Sequence, residues 1–405
     1  MSKKLRIAFL TIGNSRRSGY LDGDTLRYGG SGGSGTDTTN ILVAEYLASQ
    51  GHEVVLAQDK LEPMLEEQYR REGREPELGR TVRGVQYTNT DFTGIDNKEF
   101  DILHTCLWFK DYTNLPIKVT KALIYHSHMQ WVYSIGEMQT YCKENNLKFG
   151  LVHISNWEKN KNFGVLEGFK AQLGADKVFD TLIPNPVMDD VMKEVLAEGR
   201  AKKPNKFIFH AGWARGGNVA LAAVRELMGE DTKYQDAEFH AYDYLMCTHD
   251  HLDPFFHRHN GQDKKTVFTN LQESEYFLYP LYTPYKDVHA DTFSCVVAEA
   301  IAMGTIVITY PLAALPENFD GMVHWLPFPA EVDKEKVLNS HLYKDEEGYF
   351  NRAEPVKEAI KYLEAHPEEK EKLRAAGKNI IFEKYSVDVI GKQWVNFLNE
   401  MMNEA

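Results

Sequence analysis

Apolar and polar positions fall into blocks whose period changes along the chain. Leu5–Ile12 is a continuous apolar run, Thr38–Ser49 carries apolar residues at helical spacing and stops at Gly51, and Glu53–Ala57 is apolar again. Unbroken apolar runs of this length predict strands covered on both faces, with amphipathic helices between them as the cover. Phe100–Leu107, Lys121–His128, Phe149–Ile154 and Thr181–Ile183 predict further strands of the same kind. Asn185-Pro186 breaks the rhythm. A polar helical stretch, Met188–Ala201, follows and runs into the basic Lys202-Lys203-Pro204-Asn205-Lys206.

The alternation then restarts. Phe207–Ala211 predicts a strand, Asn218–Met228 a helix and Glu238–Tyr242 a strand. Thr266–Phe268, Tyr276–Tyr279 and Ile306–Thr309 predict three more strands, with a Phe293–Met303 helix before the last. Near the end, Ser386 can cap a helix with Val389, Trp394, Phe397, Leu398 and Met401 on one broad apolar face. The fold class expected is α/β: two doubly wound units in succession, 1–187 and 206–385, joined by a linker over 188–205 and followed by a helix over 386–405. Two such units leave a cleft bordered by strand C-termini, the place where open α/β sheets take ligands.

Composition narrows the function. With 405 residues, two or three domains are expected, and 43% hydrophobic with 26% charged residues is the composition of a globular protein. A net charge of −13 argues against a nucleic-acid partner and gives no support for peripheral membrane contact. The arginine-rich run Tyr69–Arg83 is a local basic patch that a solvated helix face explains at least as well. Four scattered cysteines, Cys106, Cys142, Cys247 and Cys295, read as reduced thiols, and the opening MSKKLRIAFLTIG is charged and strand-like. A cytoplasmic protein without a transmembrane segment is expected.

The strongest chemical signal is a pair of carboxylates, Asp291 and Glu299, with seven residues between them at the start of the predicted helix. Thr292 or Ser294 can cap that helix, so that the amides of Thr292, Phe293, Ser294 and Cys295 offer a phosphate site. Glu299, about two turns further along, can accept hydrogen bonds from sugar hydroxyls. Arg215 follows the first strand of the second unit, and Gly216 and Gly217 let backbone approach a ligand there. A guanidinium in that place can grip a diphosphate through paired hydrogen bonds, with no metal needed.

Other features are more ambiguous. Gly30, Gly32 and Gly35 satisfy G-x-G-x-x-G, but the run lies far past the strand it should follow, so a ligand-approaching or simply flexible loop (Gly32, Gly33, Ser34, Gly35) competes with a dinucleotide fingerprint. Asp59 sits late for the ribose carboxylate of such a fingerprint. His126 and His128 end an apolar strand beside Gln130 and Trp131, and residues two apart share a strand face. His249, Asp250, His251, Asp253 and His257 read as a solvated loop, since no regular ligand spacing supports a metal.

Taken together these residues resemble the GT-B glycosyltransferases of the retaining, family 4 type, over nearly the whole chain. The resemblance rests on Gly35 and the helix running to Ser49-Gln50-Gly51-His52-Glu53-Val54, a strand-edge histidine at 126 or 128, His153-Ile154-Ser155-Asn156-Trp157 and Ile183-Pro184-Asn185-Pro186. It also rests on Arg215 and, most specifically, on Thr292–Ala300 followed by Gly304 and Pro316-Glu317. It implies two Rossmann-like domains facing a central cleft, with the C-terminal helix returning to the N-terminal domain. It implies transfer of a sugar from a nucleoside diphosphate sugar to a glycan or small hydroxylated acceptor, with the anomeric configuration retained and no cofactor or metal. Arg215, Gly216, Thr292, Phe293, Ser294, Cys295 and Glu299 would hold the donor, and Asp291 the transferred sugar. His126, His128 and the Gly32–Gly35 loop would face the acceptor. Two departures stand out: Asp291 replaces the family's usual glutamate, and no lysine follows Arg215, so either Arg215 works alone or a distant residue such as Lys286 supplies the second charge. A sugar-nucleotide epimerase, a non-catalytic nucleotide-sugar-binding protein and, more remotely, an NAD-dependent oxidoreductase remain as alternatives.

Overall fold

The structure, a computed structural model, describes residues 4–11, 21–29, 32–60, 63–71, 77–106, 109, 113–129, 131–243, 253–282, 287–340 and 342–403. The chain forms two compact units. One comprises Met1–Pro186 together with Tyr385–Ala405, the other Val187–Lys384.

The first unit is built on eight strands: β1 Arg6–Thr11, β2 Glu53–Gln58, β3 Thr81–Val82, β4 Val85–Asn89, β5 Glu99–Thr105, β6 Lys118–Ser127, β7 Lys148–His153 and β8 Val178–Leu182. They lie in the order β3-β4-β2-β1-β5-β6-β7-β8, all parallel except the short β3–β4 pair. Successive side chains of β1 point to opposite faces, and both faces are closed to solvent. Ala8 and Leu10 join Val55, Leu103, Leu123 and Leu151 in one core cluster, while Ile7 and Phe9 are buried on the other side. β4, Val-Gln-Tyr-Thr-Asn, escapes the apolar-run criterion because it mixes polar with apolar residues although most of it is buried.

The helix Val387–Asn403 belongs to this first unit, against the Gly35–Ser49 helix. Its Trp394, Phe397, Leu398 and Met401 are buried, as their spacing predicts, whereas Val389 is only half-buried and its neighbour Ile390 takes the inner face. The two helices touch closely at Gly391, where a Cβ would fall 2.2 Å from Tyr46 Cδ1. Lys148 Nζ donates to Met401 O at 2.6 Å, a cation at the negative end of the helix.

The second unit carries β9 Lys203–His210, β10 Glu238–Asp243, β11 Phe256–Asn260, β12 Ser274–Tyr279, β13 Asp287–His289, β14 Ile306–Thr309, β15 His324–Trp325 and β16 Leu342–Lys344. Six of them make a parallel sheet ordered β11-β10-β9-β12-β14-β15, and β13 pairs with β16 antiparallel. β9 lies between β10 and β12, so the strand order turns there. Two expectations are corrected. Thr266–Phe268 is part of a helix, Lys264–Glu273, because Asp263 caps it (Thr266 N–H to Oδ1, 2.8 Å) and Val267, Phe268 and Leu271 form one buried helical face. His257 is not in a loop but in edge strand β11, where it sits opposite His240 and stacks on it at 4.7 Å.

Candidate functional site

The order of the second sheet decides which side chains meet. β9 and β12 are neighbours despite their separation in sequence, so the turn after β9, with Arg215, comes beside Tyr279 at the end of β12. Arg215 Nη1 donates to Tyr279 Oη at 3.0 Å and to Asp291 Oδ2 at 3.2 Å. Tyr279 Oη donates to that same Oδ2 at 2.8 Å. Asp291 therefore commits one carboxylate oxygen to both donors, and among the described residues Oδ1 receives no hydrogen bond. Burial pushes the Tyr279 phenol far above its ordinary range, which keeps it a donor.

Glu299 shows the same division. It is 1% exposed, and Lys264 Nζ, itself buried, lies 2.6 Å from its Oε1. Its Oε2 is buried with no hydrogen-bond partner among the described residues, and so is His210 Nδ1, 3.8 Å away. Desolvation, aided by the Lys264 charge, holds the His210 imidazole well below its ordinary value, so it is neutral. A buried, unpaired carboxylate oxygen is costly, and a ligand hydroxyl is the kind of group that offsets it.

The backbone around these side chains is strained. Leu281 (φ 58°), Ser294 (φ 71°) and Ala313 (φ 49°) are left-handed without being glycine. Each follows a strand of this sheet or opens the helix beside it, and Ala314 N–H donates to Asp291 O at 3.1 Å. Such strain gathers at ligand sites. Ser294 also corrects an expectation. The helix begins at Cys295, and neither Thr292 nor Ser294 caps it, because the left-handed backbone at 294 departs from the extended form a capping side chain needs; Ser294 Oγ is buried with no partner among the described residues. The Gly217–Glu230 helix likewise starts without a side-chain cap, from Gly216 at φ 106°. A Cβ on Gly217 would fall 2.4 Å from the Trp213 ring, so glycine is what lets that ring close over the turn holding Arg215.

In the first unit, His126 and His128 are bonded to each other, His128 Nε2 to His126 Nδ1 at 3.1 Å. His126 is fully buried, edge-on to Trp394 at 5.1 Å and to His104 at 5.5 Å, whereas His128 is 8% exposed. Burial lowers all three imidazoles, His104 and His128 to about 3, so they are neutral hydrogen-bonding groups. Between the pair, Ser127 Oγ donates to Glu158 Oε1 at 2.6 Å, and Glu158 Oε2 lies 2.8 Å from His153 Nδ1. That buried knot ties the ends of β6 and β7 together.

The glycine run does not behave as a dinucleotide fingerprint. Ser34 caps the Gly35–Ser49 helix, and Asp37 Oδ2 accepts from Ser34 N–H at 3.0 Å and from Ser34 Oγ at 2.7 Å. A carboxylate thus already sits at the helix start that a pyrophosphate would need. Gly32 and Gly33 are half-buried; Gly30 and Ser31, like Gln130, His249, Asp250, His251 and Lys286, lie outside the described residues.

Solved structures share this architecture along their whole length. Sucrose-phosphate synthase from Thermosynechococcus elongatus superposes with a TM-score of 0.60 at 11% identity, covering 99% of this chain and 100% of that one. Trehalose-6-phosphate synthase gives 0.58 at 10% identity (98% and 99%), and HepE from Anabaena, in complex with UDP-glucose, 0.57 at 11% (98% and 100%). The chain has the GT-B fold. No family model and no curated protein matches the sequence.

Within this GT-B chain, Arg215 and Asp291 come together, and Glu299 lies eight residues beyond Asp291 with its own partners. Sequence reasoning missed Tyr279, Lys264 and His210. Tyr279 reads as one more residue of an apolar strand, and nothing local marks Lys264, whose partner is 35 positions away. Among the described residues no helix is long and apolar enough to cross a membrane, and no cluster of three or more His, Cys, Asp or Glu is placed to hold a metal.

Proposed function

We propose that this protein is a glycosyltransferase that moves a sugar from a nucleoside diphosphate sugar to a hydroxyl acceptor, with retention of configuration. The observation that carries the reading is the pair of half-engaged carboxylates, Asp291 and Glu299, set with Arg215 at the point where the second sheet reverses its strand order. Phosphate and polyol chemistry are offered side by side there, with Arg215 and the two uncapped helix starts for the diphosphate and Asp291 Oδ1 and Glu299 Oε2 for hydroxyls. HepE, similar in fold, binds UDP-glucose.

In the reaction proposed, the bond between the sugar's anomeric carbon and the phosphate oxygen breaks as the bond to the acceptor oxygen forms on the same face. The acceptor proton passes to the departing phosphate oxygen. Arg215, Gly216 and the Thr292–Cys295 backbone neutralise the leaving diphosphate, the charge that grows most along the path. Glu299 takes the ribose hydroxyls and Asp291 the transferred sugar. In the first unit, His128, steadied by His126, and the Gly32–Gly35 loop serve the acceptor. The cytoplasm is the compartment of this reading, with Cys106, Cys142 and Cys295 as buried thiols.

A thermal-shift screen across UDP-, GDP-, ADP- and dTDP-sugars, followed by assay of transfer and hydrolysis with the best binder, tests the proposal. Stabilisation by one nucleotide family together with turnover supports it. A chain that no nucleotide sugar stabilises is not a transferase of this kind. The Arg215–Asp291 ion pair also suits a protein that binds such a donor without turning it over, and donor binding unaffected by Asp291→Ala, with no turnover, is the signature of that second reading.

A further inference from the structure

Tyr279 has no counterpart in the roles assigned above, yet its hydroxyl touches both Arg215 and Asp291. We propose that Tyr279 is a positioning residue that sets sugar recognition apart from diphosphate binding: it holds Asp291 in place so that Arg215 can turn to a phosphate without releasing the carboxylate. The inference rests on the donor site proposed above.

Three observations support it. First, Asp291 Oδ2 is shared between the two donors, at 2.8 Å from Tyr279 Oη and 3.2 Å from Arg215 Nη1, so the shorter bond comes from the tyrosine. A guanidinium that turns its fork towards a diphosphate lengthens or gives up the Nη1 bond to Asp291. A phenol on a rigid central strand need not move. Second, Tyr279 is rigidly held: 1% exposed, in register with Thr309 of β14, and stacked on Phe277 at 5.5 Å. Third, Asp291 is one methylene shorter than a glutamate and closely reached from β12, so its carboxylate has little freedom once Oδ2 is fixed. Oδ1 is then presented in one orientation to a hydroxyl. With the tyrosine hydroxyl removed, Arg215 is the donor that remains to the Asp291 side chain among the described residues, and occupancy of the phosphate site competes with orientation of the sugar-binding oxygen.

Tyr279→Phe keeps the ring and removes the hydroxyl. Its dissociation constants for UDP and UDP-glucose, measured by calorimetry beside wild type (with GDP and GDP-glucose, then ADP and ADP-glucose, if the uridine pair does not bind), separate the outcomes. The expected result is an affinity for the nucleoside diphosphate within about twofold of wild type, and an affinity for the sugar conjugate lowered roughly tenfold, the scale of one hydrogen bond to a charged group. Turnover falls further than KM rises. Asp291→Asn should reproduce the selective loss, and the double variant should be no worse than the stronger single one. Equal weakening of both ligands, with a lowered melting temperature, would make Tyr279 a packing residue and overturn the inference. Unchanged affinity for both ligands would overturn it too, while leaving the donor site standing. If no nucleoside diphosphate binds wild type, the donor site itself fails and the inference falls with it.

Discussion

Lys264 Nζ lies 2.6 Å from Glu299 Oε1, and the two side chains retain 6% and 1% of their exposure. A buried pair like this contributes little net stability when intact, because desolvation offsets the attraction, but breaking it strands a charge. Lys264→Met is therefore expected to destabilise the protein by about 3–5 kcal/mol. Adding Glu299→Leu should recover much of that loss while removing nucleotide binding. Denaturant midpoints of the two variants provide the check. A Lys264→Met protein as stable as wild type would mean the pair is not closed off from water.

Arg215→Ala should raise the dissociation constant for a nucleoside diphosphate roughly 10–100-fold, the equivalent of one charge-assisted hydrogen bond. Arg215→Lys keeps the charge but not the planar fork, so it should recover only part of that loss. Calorimetry with the diphosphate decides. Equal affinities in all three proteins would move the phosphate site elsewhere.

Gly217→Ala places a methyl group where the Trp213 ring lies, at 2.4 Å from Cε3. Either the ring or the turn that carries Arg215 must shift. The variant should lose diphosphate affinity at least as severely as it loses melting temperature, whereas Gly229→Ala, on the same helix and with open space around it, should keep both. An unaltered Gly217→Ala protein would show that the turn adapts freely.

The buried histidines give a pH dependence of defined sign. Unfolded imidazoles take up protons near 6.5, but His104 and His128 in the folded chain do so only near 3, as burial disfavours the charged ring. Between those values the unfolded chain binds more protons, so stability should decline as the pH falls through that window. Urea midpoints at pH 7, 6, 5 and 4 test this. A midpoint that holds steady down to pH 4 would contradict it. For the same reason, the ring protons of His128 should not titrate between pH 5 and 8 by NMR.

Much of the fold was legible in the chain. β14 begins and ends where the apolar run Ile306–Thr309 does, and β1 and β2 agree with their runs to within a residue or two at the ends. The buried face of the C-terminal helix follows from the spacing of Trp394, Phe397, Leu398 and Met401. These features depend on local periodicity and on the need to cover both faces of a parallel sheet. Where partners must be known, local reading fails: Thr266–Phe268 reads as a short strand, and the polar, histidine-rich edge strand β11 reads as loop.

At the site, residue types and spacing single out Asp291, Glu299 and Arg215 as groups suited to phosphate and sugar, since that chemistry needs a guanidinium, carboxylates and small residues near a helix start. Sequence could not say that Arg215 rests on Asp291, that Tyr279 bridges them, or that Lys264 holds Glu299. Those pairings span 76, 64 and 35 positions, or 12 between Tyr279 and Asp291. Arg215 meets Tyr279 because β9 and β12 pair side by side, and Lys264 meets Glu299 because the helices Lys264–Glu273 and Cys295–Ala302 pack together; strand order and helix packing are set by how all the helices cover the sheet, an energy no single segment carries.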